Sequence, residues 1–388
     1  MAKERIYLDW NATAPLLSEA RSAMLDALAL SGNPSSVHQE GRAARAMIET
    51  ARRHVAELVG ATPANVIFAS SATEAANHVL TPHLRMGRAP LAASRLYVSA
   101  IEHPAVRLGG RFEPVAVSEI AVLPSGVVDL AALEALLVAH PREAGLPMVA
   151  IMLANNETGI VQPVADAARI VHARGGLLVV DAVQAAGRMP IDINALDADF
   201  LILSAHKLGG PKGAGALVAR GETLMPSPLI RGGGQEKGHR GGTENLAAIA
   251  GFGAAAAMAA KDIEPRNAAI RALRDRLENG MRKAAPDVVI HGSGVERLAN
   301  TCFFTLPGLK AETGQIAFDL EGLALSAGAA CSSGKVGESH VLNAMGLDAK
   351  TGGLRLSLGP ATDAAMIDRA VEIFGKIGAR RGLSGKAA

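Results

Sequence analysis

Residues 177–181 read Leu177-Leu178-Val179-Val180-Asp181, and residues 200–207 read Phe200-Leu201-Ile202-Leu203-Ser204-Ala205-His206-Lys207. Each stretch is a short apolar run that ends in polar side chains. Runs of this kind are typical of strands in a parallel sheet whose two faces are covered by helices. Ligands of such sheets bind beyond the carboxyl ends of the strands. We therefore expect Asp181 and Lys207 to lie together at a ligand site.

The remaining sequence alternates helix and strand patterns. Apolar residues recur at helical spacing between Ala44 and Val59, and further strands are predicted at residues 66–70, 96–100, 148–153 and 214–218. This alternation predicts an α/β architecture, a mostly parallel mixed sheet flanked by helices, for a large domain at residues 15–255. A long helix near 267–284, short strands and a final helix near 364–377 predict a smaller α+β domain made of residues 1–14 and 256–388.

The composition limits the class of protein. The 388 residues are 49% hydrophobic and 20% charged, with a formal net charge of +2, which is ordinary for a globular protein. Binding to DNA or to a membrane is not expected, because there is no basic block and no run of roughly 18 apolar residues. The two cysteines predict no disulfide framework and a cytoplasmic location. Without His-x-x-x-His or Cys-x-x-Cys spacing, no metal cofactor is expected.

An amine and a carboxylate at neighbouring strand ends indicate pyridoxal phosphate chemistry. Lys207 can form a Schiff base with the coenzyme's aldehyde, and Asp181 can keep its pyridine nitrogen protonated. The segment Ser71-Ala72-Thr73 joins a strand to a helix, so its backbone N–H groups favour a phosphate; the alternative is a plain N-cap. Further candidate phosphate donors, whose alternative is an ordinary loop position, are Ser204, His206 and Thr243.

The coenzyme ring needs other partners. Gln184 and Asn155 are candidates for its phenolic oxygen, although Asn155-Asn156 also suits a simple turn. His103 is a candidate for stacking on the ring and moving protons, since its ordinary pKa lies near neutrality. The alternative for this lone histidine is a structural role.

Cys331 lies in a segment, residues 326–337, that consists almost wholly of small residues. Such a segment cannot pack a core, so we expect a mobile arm whose thiol reaches into a cleft and attacks there. The alternative, a buried inert cysteine, is our interpretation of Cys302. Arg355 alternates with leucines and either pairs with a carboxylate of the fold or binds a ligand carboxylate. Asn33 would assist it, or it shapes a turn.

Together these residues resemble the cysteine desulfurases of the class V aminotransferase superfamily, in particular the NifS/IscS-like group. The resemblance covers essentially the whole chain, and its specificity comes from many short motifs in the right order. The motifs are Tyr7-Leu8-Asp9, Gly32-Asn33-Pro34-Ser35-Ser36, Ser71-Ala72-Thr73-Glu74, Glu102-His103, Asn155-Asn156-Glu157, Asp181-Ala182-Val183-Gln184, Ser204-Ala205-His206-Lys207, Gly241-Gly242-Thr243, Cys331-Ser332-Ser333-Gly334 and Arg355-Leu356-Ser357-Leu358-Gly359.

The resemblance implies a homodimeric pyridoxal phosphate enzyme of fold type I. Such an enzyme takes sulfur from L-cysteine, leaves L-alanine and holds the sulfur as a persulfide on Cys331. Lys207 would hold the coenzyme and His103 would stack on it and act in acid/base steps. By the same resemblance, Asp181 would bind the pyridine nitrogen, and Gln184 and Asn155 would bind the phenolic oxygen. The residues that would bind the phosphate are Ala72, Thr73, Ser204, His206 and, from the other subunit, Thr243. Those that would bind the substrate are Arg355, Asn33 and Asn155.

The resemblance also implies a sulfur-acceptor protein, either an iron–sulfur scaffold or a sulfur carrier, with Cys331 able to ligate an iron–sulfur centre during transfer. After Gly334 the chain reads Lys335-Val336-Gly337-Glu338-Ser339, where the family commonly has Ser-Leu-Glu-Pro-Ser. This departure leaves the identity of the acceptor open. The alternatives are a selenocysteine lyase or carbon–sulfur lyase of the same fold, an aminotransferase, and a protein that only docks sulfur-transfer partners.

Overall fold

The computed structural model describes residues 5–328 and 338–384. Their strands are β1 Ile6–Tyr7, β2 Val66–Ala69, β3 His83–Met86, β4 Ala89–Ser99, β5 Val117–Ile120, β6 Leu146–Met152, β7 Leu177–Asp181, β8 Phe200–Ser204, β9 Gly215–Ala219, β10 Leu224–Pro226, β11 Val289–Ile290, β12 Thr301–Thr305, β13 Leu323–Ala324, β14 Ser326–Ala327 and β15 Leu354–Ser357. Their helices are α1 Ser18–Leu28, α2 Gln39–Leu58, α3 Ala72–Val79, α4 Pro104–Arg107, α5 Leu130–Val138, α6 Val164–Ala173, α7 Leu246–Ala260, α8 Ile263–Ala284, α9 Ala311–Leu320, α10 His340–Ala344 and α11 Ala364–Ser384.

The large domain is built on one mixed sheet. Its strand order is β10-β3-β4-β6-β7-β8-β9-β2, and β5 also pairs with β4. The pairs β4–β6, β6–β7 and β7–β8 are parallel, whereas β8–β9 and β9–β2 are antiparallel. The predicted α/β fold with a mostly parallel mixed sheet is confirmed.

Both faces of this sheet are buried, which explains the continuous apolar runs. Along β7, Leu178 and Val180 face the core formed with α2, α5, α6 and α7. Their neighbours Leu177 and Val179 face the opposite core, which includes α3 and α4. Because successive side chains of a strand point to opposite faces, a strand between two helical layers must be apolar at every position.

The small domain has its own sheet, of order β11-β12-β15-β14, and its own core. Three fully buried aromatic rings, Phe304, Phe318 and Phe374, meet at its centre, with centroids 5.6–6.4 Å apart. The first residues of the described chain also belong here, since β1 pairs with β13 and Leu8 is buried in the same core.

The N-terminal segment then crosses into the large domain. The Trp10 amide donates to the Ser357 carbonyl of the small domain, and the Ala14 amide donates to the His206 carbonyl of the large domain. The Trp10 ring lies against Gly359, where a Cβ atom would come within 1.9 Å of the indole. This segment therefore requires a glycine at position 359.

The structure differs from the sequence expectations at several edges. The predicted change of domain after residue 255 falls inside α7, whose Ala256 and Ala259 pack into the core of the large sheet. The domain bounds themselves stay a prediction. The strands β3, β5 and β10 were not predicted. Only one residue of β3, Leu84, is buried, so the strand lacks an apolar pattern.

Among residues 5–328 and 338–384, no single helix has the length and apolar character needed to cross a membrane. The consecutive helices α7 and α8 meet that test only as a pair, and they are bent by 78° at their junction.

We expect Phe304→Ala to destabilise the protein strongly, because it removes a ring from the centre of the small-domain core. The loss for such a truncation is about 3–5 kcal/mol, and it is measured as a lower midpoint of urea unfolding. Ile316→Ala is the control, since Ile316 lies on α9 with 63% of its surface exposed. Equal midpoints for the two variants would contradict the placement of Phe304 at the centre of the small-domain core.

Candidate active site

A cavity of about 490 Å³ opens at the edge of the large sheet where β2, β7 and β8 end. Its volume is in the usual range for small-molecule sites. The sequence-predicted residues that line it are Ala72, Thr73, His103, Asp181, Gln184, Ser204, His206 and Lys207.

Lys207 ends the 3-10 turn Ala205–Lys207 that follows β8. Its Nζ donates to the carbonyl oxygens of Asn11 and Ala12, at 2.5 and 2.9 Å. The N-terminal segment thus lies directly against the amine. The two carbonyl oxygens take the place of water around the Lys207 amine at the cavity wall.

Asp181 is the last residue of β7. Burial raises the pKa of its carboxyl to about 6, against the opposing effects of a hydrogen bond from the Val183 amide and the charge of Lys207. The carboxylate is therefore the prevailing form at neutral pH. In that form it can accept a hydrogen bond from a protonated ring nitrogen.

Glu102 is a second acid at this edge, and sequence reasoning gave it no role of its own. It is fully buried, and its Oε1 accepts a hydrogen bond from the Met152 amide at 2.6 Å. No hydrogen-bond partner for Oε2 occurs among the described residues. Burial, reinforced by Asp181, raises the pKa of Glu102 well above its ordinary value. Ionisation of Glu102 is thus disfavoured at this edge.

His103 caps the short helix α4. Its Nδ1 accepts a hydrogen bond from the Ala105 amide at 3.1 Å, which assigns the proton of the neutral ring to Nε2. Burial, together with the charges of Lys207 and His340, lowers the pKa of His103 to about 4. The ring is therefore neutral at physiological pH.

The N-cap interpretation of Ser71 is confirmed, because its Oγ accepts a hydrogen bond from the Glu74 amide at 3.1 Å. The next two residues, Ala72 and Thr73, form the first turn of α3 and face the cavity. On the other side, His206 Nδ1 and Thr13 Oγ1 are 3.1 Å apart. The cavity thus combines a helix N-terminus with hydroxyl and imidazole groups, a donor set suited to a phosphate.

Four predicted residues do not line this cavity. Asn155 is buried in a turn, where its Oδ1 accepts from the Glu157 and Thr158 amides, at 2.9 Å each. Asn33 is exposed, and its Oδ1 accepts from the Ser35 amide. Both side chains thus take part in turns, and their predicted roles toward the coenzyme and the substrate stay predictions. Thr243 is exposed and lines an adjoining cavity of about 190 Å³.

Arg355 is the fourth, and it is buried in the wall between the domains. It donates to Asp9 Oδ1 at 2.9 Å and to the Asn156 carbonyl at 2.7 Å. Arg355 therefore pairs with a carboxylate of the fold.

The two cysteines have separate outcomes. Cys302 lies in β12 and is fully buried, and burial raises the pKa of its thiol, so it is an unreactive core residue as predicted. Cys331 lies outside the described residues. The described chain stops at Gly328 and resumes at Glu338.

Arg188 is a functional neighbour that the sequence did not reveal. It donates to Gln184 Oε1 at 2.7 Å and to the carbonyl oxygens of Gln184, Trp10 and Lys207. Burial and the nearby Arg355 charge lower the pKa of Arg188 to about 9. It lines a second cavity, of about 270 Å³, behind Lys207, with Trp10 in the same wall. Its position four residues after Gln184 is the only sequence signal that pointed to it.

The residues present fit pyridoxal phosphate. The cavity supplies an amine for its aldehyde, a buried carboxylate for its ring nitrogen, a neutral imidazole, and a helix N-terminus with hydroxyl groups for its phosphate.

Comparison with known proteins gives one consistent answer. Residues 6–370 match the family model described as aminotransferase class-V. A cysteine desulfurase of Cereibacter sphaeroides is 42% identical, over 96% of this chain and 95% of that protein. An IscS-like cysteine desulfurase of Mycobacterium tuberculosis is 36% identical, over 95% of each chain. The solved structure of a NifS-like protein from Rickettsia africae ESF-5 superposes with a TM-score of 0.84 and 34% identity, over 96% of this chain and 99% of the other.

We expect Asp181→Asn to change how stability depends on pH in the coenzyme-free protein. An acid whose pKa is raised from 3.8 to about 6 by folding favours the folded state below pH 4. That contribution is lost as pH rises through 6, by up to about 3 kcal/mol for a shift of about two units. Urea unfolding between pH 4 and 7.5 should therefore show a steeper loss for the wild type than for Asp181→Asn.

The control for this measurement is Asp166→Asn, on α6, where 49% of the side chain is exposed. It should keep the wild-type slope. If Asp181→Asn also kept that slope, the carboxyl of Asp181 would not titrate as its burial requires.

Proposed function

We infer that this chain, which belongs to the class V aminotransferase family, is a pyridoxal phosphate-dependent cysteine desulfurase. It removes sulfur from L-cysteine and leaves L-alanine. The observation that carries this conclusion is the meeting of Lys207, Asp181 and His103 in one cavity, in a chain that matches cysteine desulfurases over almost its full length.

When bound, the coenzyme supplies an electron sink that makes the α-carbon of an amino acid acidic. The residues of this chain provide its surroundings. We propose that Lys207 holds the aldehyde covalently, that Asp181 accepts from the ring nitrogen, and that Gln184, oriented by Arg188, faces the ring's phenolic oxygen. Ala72, Thr73, Ser204 and His206 would hold the phosphate.

His103 is placed to move protons. Its Nδ1 is fixed by the Ala105 amide, so only Nε2 remains to give or take a proton at the cavity. Its lowered pKa keeps the ring neutral between steps, so that it is ready to act as a base. A general acid or base in this position is worth about 100- to 10,000-fold in rate.

We propose Cys331 as the sulfur-accepting nucleophile. Its thiolate forms an S–S bond with the sulfur of L-cysteine as the substrate's C–S bond breaks, and the carbon that loses sulfur gains a proton. The sum is one thiol plus cysteine giving one persulfide plus alanine, so no added oxidant is needed. Arg355 and Asn33 would bind the substrate carboxylate, Arg355 by sharing the place now taken by Asp9.

The partners are also part of the proposal. A homodimer would bring Thr243 to the phosphate of the neighbouring subunit, which its exposed position at the adjoining cavity supports. A sulfur-acceptor protein, either an iron–sulfur scaffold or a sulfur carrier, would take the persulfide sulfur. A cytoplasmic location is supported by the low number of cysteines in the sequence.

We expect Cys331→Ala to bind the coenzyme normally but to lose desulfuration, because the acceptor thiol is gone. Mass spectrometry of the wild type after treatment with L-cysteine should show one added sulfur on the peptide that contains Cys331. Cys302→Ala is the matched control and should keep that mass shift. Sulfide release from Cys331→Ala at the wild-type rate would rule out the assigned nucleophile.

We expect Lys207→Ala to lose the yellow chromophore that sodium borohydride bleaches in the wild type, because the amine proposed to attach the coenzyme is gone. Lys212→Ala is the control, since Lys212 lines the same cavity. It should keep the chromophore and the site of reductive labelling. Borohydride labelling at an unchanged level in Lys207→Ala would place the attachment elsewhere.

The nearest alternative, a selenocysteine lyase, is tested by comparing products. For a desulfurase, release of alanine from L-cysteine should depend on Cys331, as measured with Cys331→Ala. Activity confined to L-selenocysteine in the wild type would favour the lyase.

A further inference from the structure

The Glu157 carboxylate contacts the residues that border the Cys331 segment on both sides. Ser339 Oγ donates to Glu157 Oε2 at 2.7 Å. On the other side, a Cβ atom on Gly328 would come within 2.4 Å of the same Oε2. Glu157 Oε2 therefore lies against Gly328, the last described residue before Cys331, and against Ser339, the second described residue after it.

Other contacts fix the positions of Gly328 and Ser339. The Gly328 amide donates to the Gly353 carbonyl at 2.8 Å, which continues the pairing of β14 with β15. Gly328 needs to lack a side chain because the carboxylate and the Phe303 ring fill that space. Ser339 is 1% exposed, and its Oγ also accepts from the Leu342 amide as the N-cap of α10.

Glu157 is itself fixed from the side of the cavity. Its amide donates to Asn155 Oδ1, and Asn155 Nδ2 donates to the Ile101 carbonyl, two residues before His103. Next to Ser339, His340 Nε2 donates to the Glu102 carbonyl at 2.9 Å. The borders of the Cys331 segment are thus tied to the turns that follow β4 and β6.

The same carboxylate also acts on Arg355. Burial raises the pKa of Glu157 to about 7, and the hydrogen bond from Ser339 and the charge of Arg355 oppose that shift. Arg355 in turn donates to the carbonyl of Asn156, the neighbour of Glu157. A change at Glu157 therefore reaches both the Cys331 segment and the group proposed to bind the substrate carboxylate.

We propose that Glu157 is a positioning residue that holds both ends of the Cys331 segment at a fixed place relative to the substrate. The proposal rests on the proposed desulfurase function. It follows from geometry, because the positions of Gly328 and Ser339 limit where the Cys331 thiol can reach, and misplacing a reacting group by about 1 Å can lower a rate by about 100-fold. Glu157 does not touch the reacting atoms; it acts through Gly328 and Ser339.

The first test measures persulfide formation on Cys331 by rapid quenching and mass spectrometry, in the holoenzyme. We expect Glu157→Ala to lower kcat by about 10- to 100-fold, while KM for L-cysteine stays the same or falls, because the loss of a negative charge beside Arg355 favours a bound carboxylate. Coenzyme absorbance should be unchanged. A rise in KM with loss of coenzyme would indicate general damage and would overturn the proposal.

Two further variants separate a specific contact from a folding defect. Ser339→Ala removes one of the two contacts and should give a smaller loss in kcat. Ser339→Thr keeps the hydroxyl group and should recover most of the rate. If Ser339→Ala and Glu157→Ala both formed persulfide at the wild-type rate, the proposal would be wrong.

The matched control is Glu278→Gln. Glu278 is another buried carboxylate, held by Arg297 in the small domain at 2.9 Å, and it contacts neither border of the segment. It should lower the midpoint of urea unfolding without changing kcat. An equal loss of kcat in Glu278→Gln and Glu157→Ala would mean that any buried carboxylate has this effect.

The second test does not depend on activity. Hydrogen–deuterium exchange of the coenzyme-free protein should become faster at residues 326–328 and 338–344 in Glu157→Ala, and not in Glu278→Gln. If the wild type forms no persulfide on Cys331, the proposed function is wrong whatever the exchange result is. If the wild type forms it and exchange at both borders is unchanged in Glu157→Ala, only the role of Glu157 is wrong.

Discussion

The parallel pairing of β4, β6, β7 and β8 is the constraint on which the site depends. Backbone hydrogen bonds place Met152 opposite Asp181, and Asp181 opposite Ile202. The carboxyl ends of these strands therefore lie at one edge, and the side chains that follow them meet without being near in sequence. A slip of one residue would turn Asp181 to the other face of the sheet.

Burial at this edge also shifts the pKa values of the ionisable groups. Burial raises the pKa values of two acids here, Glu102 and Asp181. The charge of Asp181 adds to the shift of Glu102, and the charge of Lys207 opposes the shift of Asp181. The imidazole of His103 is kept neutral by the same lack of water that raises the pKa values of the acids. Burial thus shifts the pKa values of the acids and of the imidazole in opposite directions at one edge of the sheet.

Sequence reasoning predicted the parts of the site that strands deliver. Asp181, Ser204 and Lys207 follow continuous apolar runs, and the runs are visible because both faces of the sheet are covered. Residues that act across the domain boundary were not predictable in the same way. Glu157 and Arg188 take their roles from contacts with Ser339 and Trp10, more than 170 positions away, and no local pattern indicates such contacts.

The same limit applies to the fold. The two cores were expected, but the extent of α7 was not, since its alanines show no change of pattern near residue 255. The position of the single tryptophan has a practical consequence. Trp10 is the only indole in the chain, and it shares a cavity wall with Lys207. Near-ultraviolet fluorescence of the protein therefore comes mainly from one side chain, which lies beside the amine. Energy transfer from Trp10 to a coenzyme attached at Lys207 would report what fraction of the sites is occupied.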